Sequence, residues 1–144
     1  MSMTVRNMLD AKGRDVVVVV PEQSLLEVAR ILHEKRIGAV VIADLEGRTS
    51  GIFTERDLVR AIAVKGAAVL DAPVSSMMTV NIQTCREDTT VNQVMEMMSA
   101  GRFRHVPVED NDRLVGIISI GDVVKSRIRE VELEAEHIKA YIAS

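Results

Sequence analysis

Apolar and polar positions follow two periods along this chain, and the order of those periods repeats. Val16–Val20 is an uninterrupted β-branched run, which predicts a buried strand stopped by Pro21. Leu25, Val28, Ala29 and Leu32 then recur at helical spacing, behind a Ser24-x-x-Glu27 start with the spacing of a capping box. Ala39–Ala43 predicts a second strand, Asp44–Arg48 a turn, Gly51–Phe53 a returning strand, and Thr54 the start of a second helix. The same order returns downstream. Ile82–Arg86 is the counterpart of the valine run, more polar and so expected to be shorter or nearer an edge. Thr90-x-x-Gln93 opens a helix whose apolar face carries Val91, Val94, Met95 and Met98. Val106–Glu109 and Leu114–Ile118 predict strands around a turn at Glu109–Arg113, and Ser119 opens a last helix.

Aligning the halves gives an offset of 66 from Ser24/Thr90 through Ile37/Phe103, and of 65 from Gly51/Gly116 onward, one residue being lost in the turn. The chain is thus two β-α-β-β-α repeats, an α/β fold of the α+β kind. Two copies argue for a pseudo-symmetric pair rather than a solenoid. The division expected is residues 1–66 (an N-terminal helix and repeat 1), a linker at 67–80, repeat 2 at 81–128, and a C-terminal helix extension at 129–144. Val5–Leu9 resembles Val74–Met78 in the linker and is expected to play the same role for the first repeat.

With 144 residues and 47% apolar content, the chain can bury a real core as one compact module. Aromatic residues are 2%, so stacking platforms for single-stranded nucleic acid are not expected. Eighteen basic against 21 acidic side chains give −3, and no global field attracts a polyanion. Any anion site must be local. No segment is apolar enough for a membrane span, and the single Cys85 fits a reducing compartment, so a cytoplasmic protein is expected. His33, His105 and His137 stand apart, with no metal-ligand spacing and no nucleophile–base set, so neither a metal nor catalysis is expected.

Both second helices open on Gly-apolar-apolar-[Thr/Ser]-x-x-Asp: Gly51-Ile-Phe-Thr54-Glu-Arg-Asp57 and Gly116-Ile-Ile-Ser119-Ile-Gly-Asp122. Glycine allows a close approach to the strand end. The hydroxyl sits where free N–H groups and the helix dipole favour an anion such as phosphate. An Asp one turn in can accept hydrogen bonds from a pair of ribose hydroxyls, as acids do in dinucleotide folds. The same spacing is also that of a helix cap. Capping boxes favour Glu or Gln, which this chain uses at its two plain helix starts, and the shorter Asp is expected to reach back less well. Ligand site and helix cap both stay open at this point. Arg56, Arg104 and, less favoured, Arg102 are candidate phosphate partners, because guanidinium groups bind phosphate bidentately.

These residues, with Ile37–Ile42 and Arg104-His-Val-Pro-Val108 in the preceding strands, make the chain resemble the cystathionine-β-synthase (CBS) domain family in its tandem, stand-alone form, over about residues 5 to 128. The resemblance implies a pair of repeats about a pseudo-two-fold axis, with clefts between the sheets that take AMP, ADP, ATP, NAD(H) or S-adenosylmethionine. It implies that Asp57 and Asp122 hold ribose hydroxyls and that Thr54 and Ser119 touch phosphate or ribose. The adenine slot would use Val16 in one copy and Asn81-Ile82 in the other, with Gly38-Ala39 and His105-Val106-Pro107 as the opposite wall. The first repeat departs from the pattern, with Val41-Ile42 where the second has Pro107-Val108. The function implied is a non-catalytic sensor of an adenosine ligand that relays to an effector protein; a structural scaffold whose Asp residues only cap helices is the alternative.

Past the second repeat, Val124, Ile128, Val131, Ala135, Ile138 and Ile142 follow spacings of four and three. Such a stripe needs cover. A partner helix in a homodimer is the expectation, and packing back on Val5–Leu9 the alternative.

Overall fold

The computed structural model describes residues 3–143. It contains two compact units, one of residues 16–82 and one of residue 83 onward together with the stretch up to Asp15.

In the first unit, β1 (Val18–Val19) pairs in parallel with β2 (Ala39–Ala43), and β2 pairs antiparallel with β3 (Thr49–Thr54), giving the order β1-β2-β3. Helix α2 (Leu25–Lys35) crosses from β1 to β2, and α3 (Glu55–Lys65) follows β3. β2 is buried along its whole length, as its five apolar residues predict. The valine run forms less strand than expected. Only Val18 and Val19 pair, Val19 alone is buried, and Val18 is 49% exposed, because this is an edge strand meeting β2 on one side. Leu25, Val28, Leu32, Val40, Ile42, Phe53, Ala61, Val69 and Val74 close the core.

The second unit holds α4 (Val91–Gly101), the antiparallel pair β4 (His105–Asp110) and β5 (Arg113–Ser119), and α5 (Ile120–Ala143). The more polar first strand of this repeat shrinks to a single parallel bridge, Cys85 to Val108. Asn111 and Asp112 take positive φ at the β4–β5 turn, where short polar side chains tolerate it best.

The N-terminal helix α1 (Val5–Lys12) belongs to the second unit, not to repeat 1 as the sequence order suggests. Val5, Met8 and Leu9 are buried among Val91, Val94, Val106, Val108 and Ile118. The Val5 and Arg6 N–H groups donate to the carbonyls of Thr89 and Glu87 at 2.8 and 2.9 Å. The linker does the equivalent in the first unit. Val74 is buried in that core, and the Val74 and Ser75 N–H groups donate to the Gln23 and Pro21 carbonyls. The linker segment thus packs on the repeat that precedes it, and α1 packs on the distal repeat. The two segments do correspond, as their sequences suggest, but the repeats they serve are exchanged.

α5 is continuous for 24 residues, about 36 Å. Its buried side chains are Val123, Ser126 and Glu130. Val124, Ile128, Val131, Ile138 and Ile142 are 49–77% exposed. The helix touches α1 and α4, yet the apolar stripe is not covered by either. No helix among the described residues is long and apolar enough to cross a membrane.

Candidate functional site

The two strand–helix junctions have matching geometry. At the first, Thr54 ends β3 and caps α3 with extended dihedrals (φ −115°, ψ 168°). Register places Thr54 opposite Ala39, and the Glu55 N–H donates to the Gly38 carbonyl at 3.0 Å. At the second, Ser119 ends β5 opposite His105, and the Ile120 N–H donates to the Arg104 carbonyl at 2.8 Å. The sequence-predicted sets Thr54/Asp57/Gly38/Ala39 and Ser119/Asp122/Arg104/His105 are thus each gathered within one unit.

Both aspartates cap their helices. Asp57 Oδ2 accepts from the Thr54 N–H at 3.0 Å, and Thr54 Oγ1 accepts from the Asp57 N–H at 3.2 Å. Asp122 Oδ2 accepts from the Ser119 N–H at 2.8 Å and its hydroxyl at 2.9 Å, while Ser119 Oγ accepts from the Asp122 N–H at 3.2 Å. The expectation that Asp reaches back less well is therefore overturned. Side chains on a helix lean toward its N-terminus, so even a short carboxylate meets the cap N–H. By contrast Ser24 accepts from the Glu27 N–H at 3.1 Å, but the Glu27 carboxylate meets Gln23 Nε2 at 3.4 Å instead of the cap. Thr90 and Gln93 form the full box.

The two carboxylates differ in what they have left to offer. The Asp57 side chain is only 5% exposed, and both oxygens are engaged. The Thr79 hydroxyl donates at 3.3 and 3.4 Å, and Arg60 Nη1 stands 3.4 Å from Oδ1. That guanidinium is 66% exposed, so the pair adds little. Asp122 carries every contact on Oδ2, including Lys12 Nζ at 2.7 Å, and its side chain is 18% exposed. Its Oδ1 accepts no hydrogen bond among the described residues.

Burial pushes the Asp122 carboxyl up, but the Lys12 ammonium and the Ser119 N–H and hydroxyl together outweigh it and hold the group below the usual carboxylate range. A depressed folded-state pKa contributes stability above the unfolded value of ~3.9 that is lost as pH falls through the folded value. Lys12→Met removes the ammonium and leaves only the Ser119 N–H and hydroxyl to oppose burial, so the depression shrinks. The acid-unfolding midpoint followed by circular dichroism is therefore expected to move to higher pH. An unchanged midpoint would show that the ion pair carries no such linkage.

Arg56, Arg102 and Arg104 are exposed, and among the described residues none of them forms an ion pair. Val16, Gly38 and His105 are half-buried, and Ala39, Val106 and Pro107 are buried. Asn81 is exposed and Ile82 half-buried; both group with the first unit. Sequence reasoning missed Lys12, Arg60 and Thr79. Arg60 stands at i+3 from Asp57 and was legible; Lys12 lies 110 residues from Asp122 and left no local signal.

Both glycines permit the close approach expected of them. A Cβ at Gly51 would lie 2.8 Å from the Thr79 carbonyl oxygen and 2.7 Å from Met78 Sδ. At Gly116 it would lie 2.6 Å from Leu9 Cδ2. The close approach that glycine permits is made by the chain's own exchanged segments.

The CBS domain family matches this sequence over residues 10–64 and again over 74–129. The chain belongs to the CBS domain family. It is similar to a CBS-domain containing protein from Agrobacterium tumefaciens, with 57% identity, a TM-score of 0.86, and 88% of this chain and 95% of that one covered. It is also similar to a CBS domain protein from Pyrobaculum aerophilum complexed with AMP (29% identity, TM-score 0.78, 92% and 99% covered). A third similar structure is a CBS domain pair in complex with 5′-methylthioadenosine and S-adenosyl-L-methionine (28% identity, TM-score 0.78, 92% and 99% covered). A curated relative from Acidianus ambivalens, an uncharacterized 17.7 kDa protein, is 36% identical over 112 residues; the aligned part is 77% of this chain and 66% of that protein. The two matched segments place one CBS repeat on each strand–helix junction, Thr54/Asp57 and Ser119/Asp122.

Proposed function

We propose that this CBS pair is a non-catalytic regulatory module that binds an adenosine-containing ligand (AMP, ADP, ATP, NAD(H) or S-adenosylmethionine) and biases an effector protein, acting as a homodimer. The observation that carries the reading is Asp122. Its Oδ1 is uncommitted and its side chain partly open, at the N-terminus of α5 beside the Ser119 hydroxyl. An ionised carboxylate has about four acceptor sites, so a ribose hydroxyl can donate to Oδ1 without disturbing the cap. Arg104, whose carbonyl receives the Ile120 N–H, stands at the same junction and would meet a phosphate. His105 would line the adenine slot beside it, with Val106 and Pro107 contributing backbone because their side chains are buried. At the first junction Thr54 and Asp57 would act with Arg56, Val16, Gly38 and Ala39, and Asn81 and Ile82 would complete an adenine wall. The AMP, methylthioadenosine and S-adenosylmethionine held by similar CBS proteins support the ligand class. Regulation requires that the ligand bind two states of the module unequally.

One observation favours the scaffold reading at the first junction: both oxygens of the buried Asp57 carboxylate are already engaged, by Thr54, Thr79 and Arg60. The second junction is therefore expected to be the tighter site. Thermal unfolding with AMP, ATP, NADH and S-adenosylmethionine tests the proposal. Ligand at about 100 times Kd adds about 2.7 kcal/mol, a Tm rise of roughly 5–10 °C for a chain of this size. Arg104→Ala removes an exposed guanidinium and should leave the unliganded Tm unchanged. It should shrink the rise with AMP and ATP but not with S-adenosylmethionine, which has no phosphate. No rise with any of the four would leave the scaffold reading.

A further inference from the structure

The apolar stripe on α5 is uncovered, and its flanking charges say what covers it. Val124, Val131 and Ile138 take the d positions of a heptad, and Ile128, Ala135 and Ile142 the a positions. The g positions are then Arg127, Glu134 and Tyr141, and the e positions Lys125, Glu132 and Lys139. In a parallel, in-register pair each g residue faces the e residue five positions on in the other helix. That sets Arg127 against Glu132 and Glu134 against Lys139, each twice by symmetry, so all four pairs attract. An antiparallel pair covering the whole stripe sets Lys125 against Lys139, Glu132 against Glu132, Glu134 against Glu134 and Arg127 against the uncharged Tyr141, so every charge–charge contact repels. An antiparallel pair slipped by one heptad regains attraction, Lys125 to Glu132 and Arg127 to Glu134, but leaves Ile138 and Ile142 bare. Those two are 59% and 77% exposed on one chain.

We infer that residues 124–142 of α5 form a parallel, in-register two-stranded coiled coil with a second copy of the chain. The inference rests on the homodimer proposed above and adds its orientation. A parallel coil brings the Ile142 ends of the two α5 helices together and gives the dimer a two-fold axis along α5. Charge selects the arrangement, since e and g pairs set partner orientation in such seams.

Cysteine cross-linking of the full chain tests this. Ile138→Cys and Ile142→Cys, made separately on exposed positions, should each give a covalent dimer under mild oxidation. The unaltered chain should not, because Cys85 is buried. In the full antiparallel pairing the two copies of residue 142 would be about 27 Å apart and those of 138 about 15 Å, far beyond the ~7 Å Cα separation a disulfide spans. Lys139→Glu supplies an independent sign. It should weaken a parallel dimer by up to about tenfold in Kd at low salt, by facing Glu134. It would tighten the full antiparallel dimer by facing Lys125, and leave the slipped one unchanged. A dimer by light scattering that neither cross-links nor weakens would overturn the coil while keeping the homodimer. A monomer at tens of micromolar would overturn both.

Discussion

Leu9→Ala is expected to destabilise the chain by about 2–5 kcal/mol, the range for emptying a fully buried leucine site. Leu9 is 0% exposed, among Val91, Val94, Val106, Val108 and Ile118. It also lies directly over Gly116, where an added Cβ would come within 2.6 Å of Leu9 Cδ2. Gly116→Ala alone is therefore expected to cost about 1–3 kcal/mol through overpacking. The double variant places the new methyl in the space that Leu9→Ala opens. Its cost should fall below the sum of the two single costs by about 0.5–3 kcal/mol. Denaturant titration of the four proteins measures this coupling. Additive costs would mean that α1 does not pack on β5 through Leu9, and the exchange of the N-terminal segment would be wrong.

Gly51→Val carries the second large effect. Here the opposing atom is backbone. Thr79 and Ile52 exchange N–H···O bonds of 3.0 and 2.9 Å. The Thr79 carbonyl, 2.8 Å from where the new Cβ would stand, therefore cannot retreat without breaking the pair. The same displacement would pull the Thr79 hydroxyl off Asp57. Overpacking together with lost part-buried hydrogen bonds suggests about 3 kcal/mol or more, with Gly51→Ala milder. A denaturation midpoint for Gly51→Val matching that of the parent chain would show that the linker segment does not close on β3.

Much of this architecture could be read from the chain because it depends on local pattern. Ala39–Ala43 is uniformly apolar, and β2 occupies those residues with every one buried. Thr54 and Ser119 open helices where their spacing puts them. The valine run misled because apolar content alone does not say how many neighbours a strand has; β1 has one, so Val18 and Val20 face outward. The partners of α1 were hidden because Val5 and Leu9 meet residues some 80 to 110 positions away, and sequence order favoured the nearer repeat. For the candidate site, the duplicated hydroxyl and acid were legible. Their unequal commitments were not, since these depend on Lys12 and Thr79 arriving from remote segments.

The α5 stripe shows the complementary case. Its spacing was plain in sequence, and the structure adds that neither α1 nor α4 covers it.

The central claim is that Asp122, and less strongly Asp57, hold the ribose of an adenosine ligand while capping their helices. Calorimetric titration of AMP and of S-adenosylmethionine into the parent chain and into Asp122→Asn tests it most directly. Asn keeps an oxygen for the Ser119 N–H, so the helix cap survives, but it removes the charge that a ribose hydroxyl would meet. The account predicts saturable binding to the parent chain and at least about tenfold weaker binding to Asp122→Asn, the loss of roughly one charge-assisted hydrogen bond. Equal affinity in the two folded proteins would contradict it.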